Sequence, residues 1–175
     1  MLRRWLRCFF IGNVSKLKSF SKYWLPILLW ALLIFSASGD RKSVQHSSRI
    51  IEPLVRWLFP HASDEAVHTT VFVVRKCAHM TEFAIFTLLI WRAANATIWK
   101  QTSGWNRRAV FFAAACSVLF AASDEIHQTF VPGRQGAVMD VLIDSIGATG
   151  GLFGLWLVKR IKKWRCRIKP PDVPR

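Results

Sequence analysis

The stretch ASDEIHQTFVPGRQGAVMD, residues 122–140, gathers Asp124, Glu125, His127, Gln128, Arg134 and Asp140 between two strongly apolar segments. A histidine among carboxylates is the equipment of general acid–base chemistry. An arginine beside them can hold a carboxylate or a phosphate bidentately. A second group, Arg75, Lys76, His79 and Glu82, opens an earlier apolar run in RKCAHMTEFAIFTLLI.

Helical spacing sorts these residues onto faces. Arg75, His79 and Glu82 lie four and three positions apart, so they share one side of a helix; Asp124, His127 and Gln128 do the same on another. Asp140, Asp144, Gly147 and Gly151 follow at intervals of four, three and four, with Gly150 and Gly154 forming an adjacent small-residue stripe. Small residues admit a neighbouring backbone. The carboxylate face is therefore expected to be the packing face, with both aspartates turned into a bundle. Candidate catalytic residues are His79, Glu82, Asp124, His127 and Asp144; candidate ligand contacts are Lys76, Gln128, Arg134 and Asp140.

Structural roles compete with chemical ones. Glu125 and His127 at a helix end can snorkel into a headgroup layer, Arg75 and Glu82 can form a plain ion pair, and Asp140 suits a helix N-cap. The Pro132-Gly133 pair would turn the chain and bring Arg134 back toward Asp140 or Asp144. No HExxH or comparable ligand motif accompanies the histidines, and no nucleophile elbow is present, so neither a metal nor a cofactor is assigned. Cys8, Cys77, Cys116 and Cys166 include no CxxC pair and read as free thiols.

The elements that must carry these residues read as membrane helices. The chain has 175 residues and is 52% hydrophobic, yet its charges are segregated into runs. Apolar segments fall at residues 23–37, 77–94, 109–131 and 137–158, and a crossing helix needs about 17–25 residues. The first is short and is followed by SASGD, which passes for a signal-peptide cleavage site, but its leader is too long for one, and a retained span is preferred. The net charge of +15 raises a nucleic-acid reading. It is set aside because the charge sits in two tails that abut apolar segments and are laced with Trp5, Trp24 and Trp164. Six Lys/Arg precede the first span, eight follow the last, and Arg92, Lys100, Arg107 and Arg108 mark the middle loop. The positive-inside rule then places both termini and that loop in the cytoplasm. Residues 39–76, with IIEPLVRWLFP and DEAVHTTVFVVRK, read as one or two short amphipathic helices on the outer surface. The polar ends of all four spans converge on that side.

The expected architecture is an all-α polytopic membrane protein, a four-helix transmembrane bundle. Basic cytoplasmic tails at 1–22 and 159–175 flank a transmembrane domain at 23–158.

The combination of IFSASG, RKCAHMTEFAIFTLLI and SDEIHQTFVPGRQGAVMDVLIDSIGATGG resembles the VanZ-like family of small bacterial membrane proteins, over about residues 24–158. The resemblance carries a motif role onto Lys76, His79, Glu82, Asp124, Glu125, His127, Gln128, Pro132, Gly133, Arg134, Asp140 and Asp144. Phe83 stands where the family often has tyrosine. The family's name-giving member contributes to resistance against the glycopeptide teicoplanin. The favoured reading is a bacterial inner-membrane protein whose outer polar pocket, with Arg134 and Lys76 as anion contacts, binds a membrane lipid, a lipid-linked cell-wall intermediate or a glycopeptide and so modulates the envelope or antibiotic resistance. Two other classes stay open: an intramembrane histidine–carboxylate enzyme acting on a lipid-linked substrate, and a proton-coupled transporter, which four spans would support only in a homo-oligomer.

Overall fold

In the computed structural model the backbone is described for residues 2–39, 43–101, 105–131 and 136–168. Side chains are described for 20–38, 49–101, 105–131 and 136–167. Five helices occupy these residues: α1 (Leu2–Gly39), α2 (Ser43–Leu58), α3 (Asp64–Thr97), α4 (Arg107–Thr129) and α5 (Val138–Ile168). No strand occurs among the described residues. The all-α expectation holds.

Three helices are long and apolar enough to cross a membrane: Phe20–Ser38 within α1, Arg107–Thr129, and Val138–Arg167 within α5. Their outward faces carry Leu28, Leu32, Phe111, Leu119 and Phe153, all more than half exposed. Such a rim suits lipid, where each helix satisfies its own backbone hydrogen bonds.

The segment at 77–94 does not join that set. It belongs to a 34-residue helix enclosed by α1, α2, α4 and α5, and its inward polar residues dilute its hydropathy. The sequence reading also cut this helix too late. DEAVHTTVFVVRK is the start of α3 and not a separate surface helix. Ser63 caps it by accepting from the Ala66 amide at 3.3 Å, and Asp64 and Glu65 occupy the first turn, where acids favour a helix start. No proline or glycine interrupts residues 64–97, so nothing ends the helix before the bundle. The basic segments likewise continue apolar helices: α1 begins at Leu2 and α5 runs to Ile168.

α2 is the amphipathic helix foreseen in the first loop, with Ile50, Leu54 and Trp57 exposed. Arg56 ties it to α3 by bridging Glu52 at 3.0 Å and Asp64 at 2.8 Å. That guanidinium holds the Asp64 carboxyl below its ordinary range.

Helix directions follow from the contacts. Trp24 donates to Thr97 Oγ1 at 3.2 Å and Trp30 to the Glu82 carbonyl at 3.0 Å, so α1 runs antiparallel to α3. Phe83 meets Phe120 and Thr87 donates to Ser117 Oγ at 2.7 Å, so α4 also opposes α3. α5 runs parallel to α3: Lys76 faces Asp140, Met80 faces Gly147, Ala84 faces Gly151, and Lys159 lies over the Trp91 ring. A core of Ile27, Ile34, Phe83, Phe86 and Ile90 fills the centre. Phe83, at the position where the resemblance places an aromatic residue, is fully buried there.

Candidate functional site

At the end of the bundle where α4 passes into α5, a cavity of about 180 Å³ opens between α3, α4 and α5. α3 presents Phe72, Arg75, Lys76 and His79; α4 presents Asp124, Glu125 and Gln128; α5 presents Asp140, Ile143 and Asp144. Each set repeats at intervals of three or four, the stripe a helix turns toward one neighbour. Close packing brings the stripes together. At Gly147 an added Cβ would collide with the Met80 backbone, and at Gly151 it would stand 3.0 Å from Ala84. Asp144 is buried at 5% exposure, as the shared face of aspartates and glycines requires.

The α4 carboxylates are held by neutral donors. Asp124, 2% exposed, accepts at Oδ2 from Ser38 Oγ at 2.6 Å and from Gln128 Nε2 at 3.1 Å. Its Oδ1 is buried with no partner among the described residues. Glu125 accepts from Gln128 Nε2 at 3.2 Å and from the Ala137 backbone N–H at 2.8 Å. It is therefore not a snorkelling residue. Buried at 7% exposure, it fastens the entry of α5 to α4. Gly136 makes that approach feasible, since a Cβ there would lie 2.5 Å from the Glu125 carbonyl oxygen.

Lys76 and His79 sit across from these acids. Lys76 pairs with Asp140 and lies 5.4 Å from the centre of the Phe72 ring. Asp140 is thus a first-turn residue of α5 in an ion pair and not its N-cap. His79 Nδ1 stands 3.3 Å from Glu82 Oε2. That contact falls outside hydrogen-bond geometry.

Of the residues singled out in the sequence, Arg75, Lys76, His79, Asp124, Glu125, Gln128, Asp140 and Asp144 line the cavity together. Glu82 reaches it only through His79. His127 does not line it: its ring stacks on Phe35 with centroids 4.0 Å apart, and its Nδ1 is buried without a partner among the described residues. Arg134, with Pro132 and Gly133, lies outside the described residues. Ser38, within the IFSASG stretch, is given no role by the sequence reading. Its partner is 86 positions away, and no local pattern signals such a bond. Among the described residues no group of three or more His, Cys, Asp or Glu side chains is arranged to hold a metal ion.

Comparison with known proteins follows this geometry. The family model described as VanZ/LLP1 matches residues 23–160, which contain every lining residue. The chain is 31% identical over 90 residues to an uncharacterized membrane protein, YwnJ, of Bacillus subtilis (strain 168). That match covers 51% of this chain and 54% of the relative, so the chain spans about half the length of the curated relative it matches. No solved structure matches the chain.

Proposed function

The chain belongs to the VanZ/LLP1 family, and from that premise we propose that it is a membrane protein that binds the polar headgroup of an envelope lipid in the α3–α4–α5 cavity. The observation that carries this reading is the cavity itself: seven charged or ionisable side chains from three helices around about 180 Å³, flanked by Phe72 and Ile143. Charged groups within a helical bundle are costly in lipid and mark a ligand or ion pathway. Pockets for drug-sized ligands run to about 300–1,000 Å³. The smaller volume supports a headgroup, free or lipid-linked to a cell-wall precursor, in preference to a whole glycopeptide. A role in envelope maintenance or antibiotic resistance would follow from that binding.

We read α3 as a fourth crossing. α1 and α4 both oppose α3 and so share a direction. If both cross, the chain between them must return. α2 has 16 residues, about 24 Å of helix, and cannot span a core of about 30 Å; α3 has 34, about 51 Å. With the basic tails and middle loop inside, the cavity faces the outer leaflet of a bacterial inner membrane. The His79–Glu82 contact supports a second reading, a general base acting on the bound lipid.

The test is lipid retention by the purified full chain, read by mass spectrometry after detergent washing. Lys76→Ala removes a charge-assisted contact and is expected to lower retained lipid about tenfold, the equivalent of roughly 1.4 kcal/mol. Wild-type retention in Lys76→Ala and in His79→Ala would sink the reading. Accumulation of a cleaved headgroup in the wild type, absent in His79→Ala, would move it to the enzyme.

A further inference from the structure

Carboxylates outnumber the permanently charged cations around the cavity, and the excess points to the charge of the ligand's bound end. Four carboxylates line it: Asp124, Glu125, Asp140 and Asp144. Two permanently charged cations, Arg75 and Lys76, stand among them; Lys76 pairs with Asp140, and His79 lies beside Glu82 outside the lining. Each Glu125 oxygen already has a donor, the Gln128 amide on one and the Ala137 N–H on the other. Gln128 spends both amide hydrogens on Asp124 and Glu125, and the Ser38 hydroxyl is spent on Asp124 Oδ2. Asp124, a lining residue, is therefore deeply buried and bonded among the described residues by neutral donors alone, with its Oδ1 buried and unpartnered. Asp144, also buried, lines the same wall from α5.

A buried carboxylate oxygen without a donor is destabilising by an amount a ligand can recover. We propose that the cavity takes a primary ammonium group, carried on the headgroup of an aminolipid such as phosphatidylethanolamine, with the ammonium donating to Asp124 Oδ1 and facing Asp144. The inference rests on the headgroup-binding reading above. Three N–H donors suit several acceptors at once, which a quaternary amine lacks and a glycerol headgroup meets without charge. The adjoining phosphate would lie on the α3 side of the lining, where Lys76 has N–H donors beyond its bond to Asp140 and Arg75 adds a second positive charge. The cavity volume suits a group of a few heavy atoms, and the lipid tails would remain in the bilayer.

The experiment places the full chain in nanodiscs of equimolar phosphatidylethanolamine, phosphatidylcholine and phosphatidylglycerol, then measures co-purifying lipid by native mass spectrometry. The expected result is at least fivefold enrichment of phosphatidylethanolamine over both others. Asp124→Asn keeps the side-chain shape and both existing acceptor contacts at one oxygen, and is expected to abolish the preference. Asp144→Asn should reduce it and serves where the first variant fails to fold, as judged by helical content and melting. O-phosphoethanolamine at millimolar concentration is expected to leave the bound lipid in place; displacement by it would assign the site to a free amino-alcohol phosphate and overturn the lipid source. Bound lipid with no preference among the three, or a preference untouched in a folded Asp124→Asn, overturns the ammonium assignment while leaving headgroup binding intact. No bound lipid of any class would instead remove the underlying reading.

Discussion

The Ser38–Asp124 bond joins the end of α1 to the heart of the site, and both partners are almost fully buried. Hydrogen bonds to charged groups contribute about 1.5–3 kcal/mol each. Ser38→Ala should therefore lower the stability of the purified chain by roughly that amount, and the loss should depend on the carboxylate. In an Asp124→Asn background the same substitution is expected to cost at least about 1 kcal/mol less, a coupling that a double-mutant cycle of thermal melts would read directly. Equal costs in the two backgrounds would show that the contribution of Ser38 does not depend on the charge of its partner. The polar set around Asp124 was legible in part because helical spacing reports neighbours on one helix. His79, Asp124 and Asp144 could be placed on inward faces from intervals of three and four. His127 could not be told apart from them by the same rule, although its ring stacks on Phe35 away from the cavity. Spacing fixes a face to within a turn and says nothing of which neighbour that face will meet.

At the scale of elements, the join between α3 and α5 sets the geometry of the cavity. These two helices make the most extensive contact in the bundle, and their parallel register sets Asp140 opposite Lys76 and Asp144 one turn further in. Two small-residue stripes run along α5, but only one is used. Gly147 and Gly151 lie against the backbone of α3, whereas nothing stands within 4 Å of a Cβ built at Gly150 or Gly154. Gly147→Leu and Gly151→Leu should thus push the helices apart and lower the melting temperature of the purified protein by several degrees or prevent folding. Gly150→Leu and Gly154→Leu should melt within a degree or two of wild type. A matched loss in both pairs would contradict this register. The sequence disclosed the stripes and the apolar runs of α1, α4 and α5, since hydropathy and GxxxG spacing are local. It misplaced the start of α3 because the amphipathic turns at 64–76 resemble a surface helix. The polar ridge through Lys76, His79 and Glu82 looked like an opening boundary when it is the middle of a continuous helix.

For the whole molecule, the position of the cavity relative to the membrane depends on whether α3 crosses. The three helices that qualify by length and apolarity cannot alternate direction without it, because α1 and α4 point the same way. The polar residues of α3 do not forbid the crossing: Lys76 is paired with Asp140 and Glu82 stands beside His79, so their charges face protein partners. Ala62 precedes α3 and the exposed Gln101 follows it. They should therefore lie on opposite sides of the membrane. In a background with Cys8, Cys77, Cys116 and Cys166 replaced by serine or alanine, Ala62→Cys should react with a membrane-impermeant maleimide in intact spheroplasts. Gln101→Cys, flanked by Lys100 and Arg107, should react only after permeabilisation, as the positive-inside rule requires. The same pattern would put the cavity at the outer leaflet, within reach of envelope lipids. Labelling of both positions from one side would show that α3 is a re-entrant or peripheral helix, and the site would then have to be reached from whichever face the label identified.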